Sequence, residues 1–201
     1  MSHSQSGDPP DGGPPAPPGP DRRIRPIDSR LLRTRRTLPH WQLGGSTYFL
    51  TYRCAPGRAL DEADRSLVLG NWRHWDRRRY LLHAIVVMPD HVHVLTTPVR
   101  REDGTFYSLA EILHTNKGFS ARAINRLHAT SGPVWQDERY DRIMRDEPEF
   151  WETWVYMNNN PVEAGLCPTP EDYPWWYGDA QGFEEGFSPA RPGGPPGPPD
   201  S

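Results

Sequence analysis

Cysteine is nearly absent from this chain: Cys54 and Cys167 are the only two in 201 residues, far apart and outside any metal-binding or redox spacing. That pattern fits a reducing compartment and leaves neither thiol as a candidate nucleophile. Long apolar runs are missing as well. No stretch approaches the roughly 20 apolar residues of a membrane span, and the N-terminus lacks the apolar core of a signal peptide, so a cytoplasmic location away from membranes is expected. The two ends have almost nothing to bury. Residues 1–20 contain seven prolines among Gly, Ser and Asp, and residues 188–201 contain six more. Disordered tails are therefore expected at 1–21 and 178–201, with the folded part at 33–177. That length has room for one domain with a real core.

Net charge is low as well, at −3, but it is unevenly spread. Residues 22–101 carry 16 Lys and Arg against 6 Asp and Glu, whereas residues 102–201 carry 7 against 17. The basic half is almost all arginine. One cluster holds Arg33, Arg35 and Arg36, and another holds Arg77 and Arg78. Guanidinium groups bind phosphate bidentately and stack on bases, so a nucleic-acid partner is the natural functional reading. A solvated charged surface explains the charge alone equally well.

What is present reads as an alternation of strands and helices. Ser46 to Cys54 is rich in β-formers after Gly44 and Gly45, and is expected to be a strand. Asp61 to Arg79 has apolar residues at helical spacing, acidic residues near its start and arginines at its end, as the helix dipole prefers. Leu81 to Met88 and His91 to Thr97 read as a hairpin across the Pro89-Asp90 turn. Ser108 to His128 opens with a capping box, Ser108 and Glu111, and forms a second helix carrying Lys117 and Arg122. Arg139 to Met144 supplies a short strand. The order β-α-β-β-α-β predicts an α+β, ferredoxin-like sheet with both helices on one face. A last helix, expected from Glu147 to Asn160, has Pro148 in its first turn and Pro161 after its end.

The stretch Met88-Pro89-Asp90-His91-Val92-His93-Val94-Leu95 organises the chain. Strand side chains alternate faces, so His91 and His93 share one face and can converge on one ion, with a further ligand coming from elsewhere. A bare His-x-His is equally compatible with two polar residues on a half-buried strand. In the last helix, stepping about 100° per residue puts Phe150, Trp151, Trp154, Val155 and Met157 on the buried face. Tyr156 and Asn160 fall together on the side away from it. The same pair could be a surface tyrosine beside a helix-end amide.

Five segments in order now resemble a known family. They are Leu38-Pro39-His40-Trp41, Gly45 to Thr51, Met88 to His93, Val134 to Asp141, and Tyr156-Met157-Asn158-Asn159-Asn160-Pro161-Val162. Together they resemble the REP-associated tyrosine transposases, in the single-tyrosine branch of the His-hydrophobic-His nucleases. The resemblance implies a ferredoxin-like catalytic domain with a C-terminal catalytic helix. It also implies single-stranded DNA with a hairpin as partner, a location at the nucleoid when DNA-bound, and a divalent metal, Mg2+ or Mn2+.

Carried over by position, Tyr156 is the nucleophile and His91 and His93 are metal ligands. Asn160 stands where related insertion-sequence transposases have a glutamine that completes the metal site. DNA binding would fall to Arg33, Arg35, Arg36, Arg77, Arg78, Lys117 and Arg122, with Trp41 or Trp135 as stacking surfaces. For Trp135, Trp151 and Trp154 a core role competes with stacking, and Tyr140 and Tyr173 are further tyrosines in reach. Two other functions stay open beside the transesterase: a domesticated hairpin-binding regulatory module, and a phosphohydrolase in which water attacks. Monomer and homodimer are both compatible with the sequence.

Overall fold

The computed structural model describes residues 44–179. Contacts divide the chain into Met1–His40, outside the described residues, and Trp41–Ser201, to which all the described residues belong. Arg33, Arg35, Arg36, Trp41 and the expectations for residues 1–21 and 180–201 thus lie outside them.

The elements run β1 (Tyr48–Cys54), α1 (Glu62–Trp75), β2 (Tyr80–Val87), β3 (His91–Pro98), α2 (Leu109–Leu127), β4 (Trp135–Ile143), α3 (Glu147–Glu163) and β5 (Trp176–Gly178). The strands form one antiparallel sheet in the order β4-β1-β3-β2-β5. The first four reproduce the expected ferredoxin-like topology.

The alternation of β-strand faces divides the interior into two cores. On one face, Leu50, Tyr52, Val92 and Val94 pack with Val68 and Trp72 of α1 and Ile112, Leu113 and Ile124 of α2. Trp72 is fully buried there and donates its indole N–H to the Tyr52 hydroxyl at 2.8 Å. Trp135 belongs to this core, donating to Ser120 Oγ at 3.1 Å, so its role is packing rather than base stacking. On the other face, Phe49, Val86 and Leu95 pack against Phe150 and Met157 of α3.

Four boundaries differ from the sequence expectations. α1 stops at Trp75, four residues early, because the chain must reverse into β2: Arg77 takes a left-handed φ of 61°, and Asp76 Oδ1 accepts from the Leu82 amide at 2.8 Å. The arginines placed at the helix end therefore lie in the turn. β4 begins at Trp135 rather than Arg139, since pairing with β1 extends back to Cys54. α3 runs through Pro161 to Glu163; the proline forgoes one N–H bond but its ring is buried, and the amides of Ala164 and Leu166 close the last turn on Asn160 and Pro161 carbonyls. β5 was not anticipated, and it carries the chain to Gly178, past the expected domain limit at 177.

β5 also fixes α3. A side chain at Gly178 would meet the Trp154 ring, its Cβ lying 2.8 Å from Cζ2, so glycine there lets the strand lie directly against the helix. Upstream, Tyr173 donates to the Val87 carbonyl at 2.8 Å, and Arg65 of α1 stacks over Trp175 at 3.6 Å. The segment after α3 thus ties both layers together around the β2 side of the sheet.

His83 lies buried beneath α3, with Nε2 2.8 Å from Thr97 Oγ1 and its ring edge-on to Phe150. Burial pushes its imidazole down to about 4, against a smaller opposing pull from Asp179. Two outcomes follow from this packing. Because the folded value lies below the unfolded one, His83 stabilises the neutral-pH fold above pH 6.5, and this contribution is lost as pH falls toward 4. Denaturant titrations across that window should show a fall from which His83→Gln removes about 3 kcal/mol; an unchanged slope in the variant would contradict it. Trp72→Ala should cost about 3–5 kcal/mol in the same measurement, and a loss below about 1 kcal/mol would mean the residue is not the packed centre described.

Candidate active site

His91 and His93 stand on the α3 face of β3, the strand flanked by β1 and β2. Their Nε2 atoms face each other at 3.1 Å. Each Nδ1 is held by a different neighbour: His91 Nδ1 lies 2.6 Å from Asp90 Oδ1, and His93 Nδ1 lies 2.7 Å from Thr51 Oγ1. An imidazole whose Nδ1–H is taken by a carboxylate or hydroxyl presents its Nε2 lone pair outward, which is the second-neighbour arrangement of metal-ligating histidines. Two donors on one hexacoordinate ion at about 2.1 Å each are separated by about 3.0 Å when adjacent. The donor set therefore fits a shared cation.

Burial lowers both imidazoles, His93 well below its ordinary value and His91 less, because Asp90 pulls the latter back up. Both are therefore neutral near pH 7, the form that ligates.

Tyr156 reaches the same spot from α3. Its ring lies 5.6 Å from the His93 ring and 6.4 Å from Phe49, which itself stacks on His93 at 5.3 Å. Burial, with a contribution from Glu163, raises the phenol, while a hydrogen bond from Asn160 Nδ2 to Tyr156 Oη, at 3.2 Å, and the charge of Arg53 oppose the rise. Asn160 thus joins the cluster through the tyrosine hydroxyl, one turn away on the helix.

The helix phase was expected to turn this pair away from the packed side, and the structure corrects that. Val155 is 50% exposed and Trp151 and Trp154 are half-buried, whereas Thr153 and Pro161 are buried with Phe150 and Met157. The buried centre moves by roughly 70° toward Tyr156 and Asn160, which become its margin instead of its opposite side. A hydrophobicity criterion could not find this, because a threonine and a proline hold places assigned to valine and tryptophan.

The other tyrosines part ways. Tyr173 is buried and committed to the Val87 carbonyl and to Arg65. Tyr140 lies on the histidine face, two strands from His93.

Lys117 and Arg122 lie on α2, across the sheet from the histidines; the Lys117 ammonium donates to the Gln136 carbonyl at 2.5 Å. Arg77 and Arg78 lie in the turn before β2, at the end of the sheet opposite the His91 turn. Three residues near the histidines went unremarked in the sequence: Thr51, Asp90 as an orienting carboxylate, and Arg53, whose Cα pairs with that of His91. Arg53 Nη1 lies 3.3 Å from Asp90 Oδ2. The β-strand alternation of Phe49, Thr51 and Arg53 was the available signal for two of them.

A second group of potential ligands, Asp61, Asp64 and His128, lies among the α1 and α2 helices. There Asp61 and Asp64 form the capping box of α1, and His128 Nε2 ties the end of α2 to Asp64 Oδ1 at 2.8 Å. Each member has a structural task. Among the described residues no helix is long and apolar enough to cross a membrane.

No protein-family model and no curated protein matches the chain. Among solved structures, a REP-associated tyrosine transposase bound to a REP hairpin superposes with a TM-score of 0.59 at 19% identity, over 76% of this chain and 87% of that one. The chain has the fold of that transposase. A second structure, described as a candidate transposase of Deinococcus radiodurans R1, matches with a TM-score of 0.39 at 17% identity, over 61% of this chain and 95% of that one.

Asp90 provides a direct check on the histidine pair. Titration of Mn2+ into the protein, read by electron paramagnetic resonance, should show affinity about 10- to 100-fold weaker in Asp90→Ala and weaker still in His91→Ala. Equal affinity in wild type and both variants, with loss in His128→Ala, would place the ion among the helices instead.

Proposed function

We propose that this chain is a transposase-type nuclease and strand transferase that acts on single-stranded hairpin DNA through a 5′-phosphotyrosine link. The observation that carries the reading is the placement of Tyr156 on His93, at 5.6 Å between rings, beside two Nε2 atoms that converge at 3.1 Å. The shared fold supports it. So does the hairpin bound to that neighbour, which suggests the substrate class.

His91 and His93, with Asn160 as a third donor, would hold Mg2+ or Mn2+, whose chemistry there is to draw charge from a phosphate oxygen. The chain's own groups account for the remaining roles. Phe49 and His93 wall the phenol and fix its approach, and α3 holds the ring in place through Met157 and Phe150. A phenol raised above its ordinary value of about 10 is protonated at neutral pH, so attack requires loss of that proton. The Asn160 amide, donating to Oη, favours the phenolate as it forms.

In the transesterification, Tyr156 Oη forms a bond to phosphorus and the bond from phosphorus to O3′ breaks. The departing oxygen takes up a proton as a free 3′-hydroxyl, and the phenolic proton leaves to solvent. Reversal by another 3′-hydroxyl rejoins strands. The covalent link conserves the phosphodiester, so no nucleotide cofactor enters the balance.

The test uses purified full-length protein, labelled hairpin-containing single-stranded DNA and Mn2+ or Mg2+. A denaturant-resistant adduct is expected with wild type, and neither Tyr156→Phe nor chelator-treated wild type should form it. Hairpin binding without an adduct in either protein would support the regulatory module instead. Cutting by both without an adduct would make water the nucleophile.

A further inference from the structure

Across the sheet, the histidine face continues beyond the residues already assigned. Val86, His93, Thr51 and Tyr140 are direct cross-strand neighbours on β2, β3, β1 and β4, so they form one row on that face. Tyr140 ends the row on β4, whose outer edge pairs with no strand among the described residues. Tyr140 is 39% exposed, and its ring touches Phe49 edge-on at 6.4 Å. A large aromatic held this way by a strand is a platform with a free side.

Arg53 stands on the same face, opposite His91 on β3. Its side chain is 47% exposed and makes one ion pair, to Asp90 Oδ2 at 3.3 Å. A guanidinium carries five N–H donors in a planar fork, so that single contact leaves most of its capacity for an anion. Its strand position across from His91 and its exposure place it at the rim of the same site. Diagonal neighbours on adjacent strands lie about 7–8 Å apart, the relation of Arg53 to Tyr140. That separation suits the phosphate and the base of one nucleotide.

We propose that Arg53 and Tyr140 form a nucleotide subsite beside the histidine pair, with Arg53 gripping a backbone phosphate and Tyr140 stacking the adjoining base of a single strand. The subsite rests on the reading of this face as a DNA-processing site, but binding alone can test it. Stacking on an aromatic ring is tolerant of sequence, so the subsite holds the strand without reading it. Base pairing would occupy the Watson–Crick edges and stack each base on its neighbours, so a duplex cannot offer a free base to Tyr140. Asp90 holds Arg53 in place until a phosphate competes for it.

The probe is a fluorescein-labelled oligo-dT of 12 nucleotides, titrated by anisotropy with full-length protein at several salt concentrations, alongside a blunt duplex of equal length. Tyr140→Ala should weaken single-strand binding between about fivefold and a hundredfold, and Tyr140→Phe should restore it. Arg53→Ala should weaken binding and reduce the slope of log K against log salt by about 0.7, one phosphate on a single strand, whereas Arg53→Lys should keep the slope. Duplex affinity should be unmoved by Tyr140→Ala. Both residues are exposed, and circular dichroism melts should match wild type.

Wild-type affinity and salt slope in both alanine variants would overturn the subsite, even where the Tyr156 adduct forms and the cleavage reading stands. Equal losses on single strand and duplex would overturn it too, by showing general electrostatic attraction. Loss confined to the single strand in protein that forms no adduct would uphold the subsite and defeat the cleavage reading.

Discussion

The pleat of β3 is the constraint on which the rest depends. Because strand side chains alternate, Val92 and Val94 are committed to the core beneath α1 and α2, while His91, His93 and Leu95 are committed to the face beneath α3. A slip of one residue would put the two histidines beneath α1 and α2 and the valines beneath α3. The register is pinned from both sides, by Arg53 and Thr51 of β1 and by Val86 and Val87 of β2. Two imidazoles on such a strand have little freedom to separate, and Asp90 and Thr51 remove most of what is left by holding the Nδ1 atoms. The two imidazoles are thus held by the chain's own contacts.

Electrostatics on that face favour neutral groups. Burial lowers His93 and raises Tyr156, so both keep the form that carries no charge. The charges nearest the histidines and Tyr156, on Arg53, Asp90 and Glu163, sit at the exposed margin or act from outside. Groups that are neutral avoid the large cost of burying unpaired charge.

α3 depends on contacts from beyond itself. Phe150 and Met157 seat it on the sheet, but Trp154 packs on Trp176 and against the backbone of Gly178, and Tyr173 and Trp175 bind that segment to β2 and α1. The position of Tyr156 relative to His93 is accordingly set in part by residues up to 22 positions later in the chain, counting to Gly178. A short edge strand that adds little to the core has a geometric task.

The sequence by itself determined the order of the first four strands and the three helices, the capping box of Ser108 and Glu111, and the sharing of one face by His91 and His93. These follow from local periodicity and local hydrogen bonding, which act over a few residues and are written in those residues. It also brought Tyr156 next to Asn160, since residues four apart on a helix must meet. Only the tertiary structure decided which way that pair faces, because the buried side of α3 is chosen by what it lands on: Thr153 and Pro161 are covered while Val155 is not. The convergence of α3 on β3, the placing of Arg53 and Tyr140 beside the histidines, and the strand β5 were equally beyond local reading. Each depends on partners distant in sequence, and cross-strand pairing is fixed by the whole sheet rather than by any one of its strands.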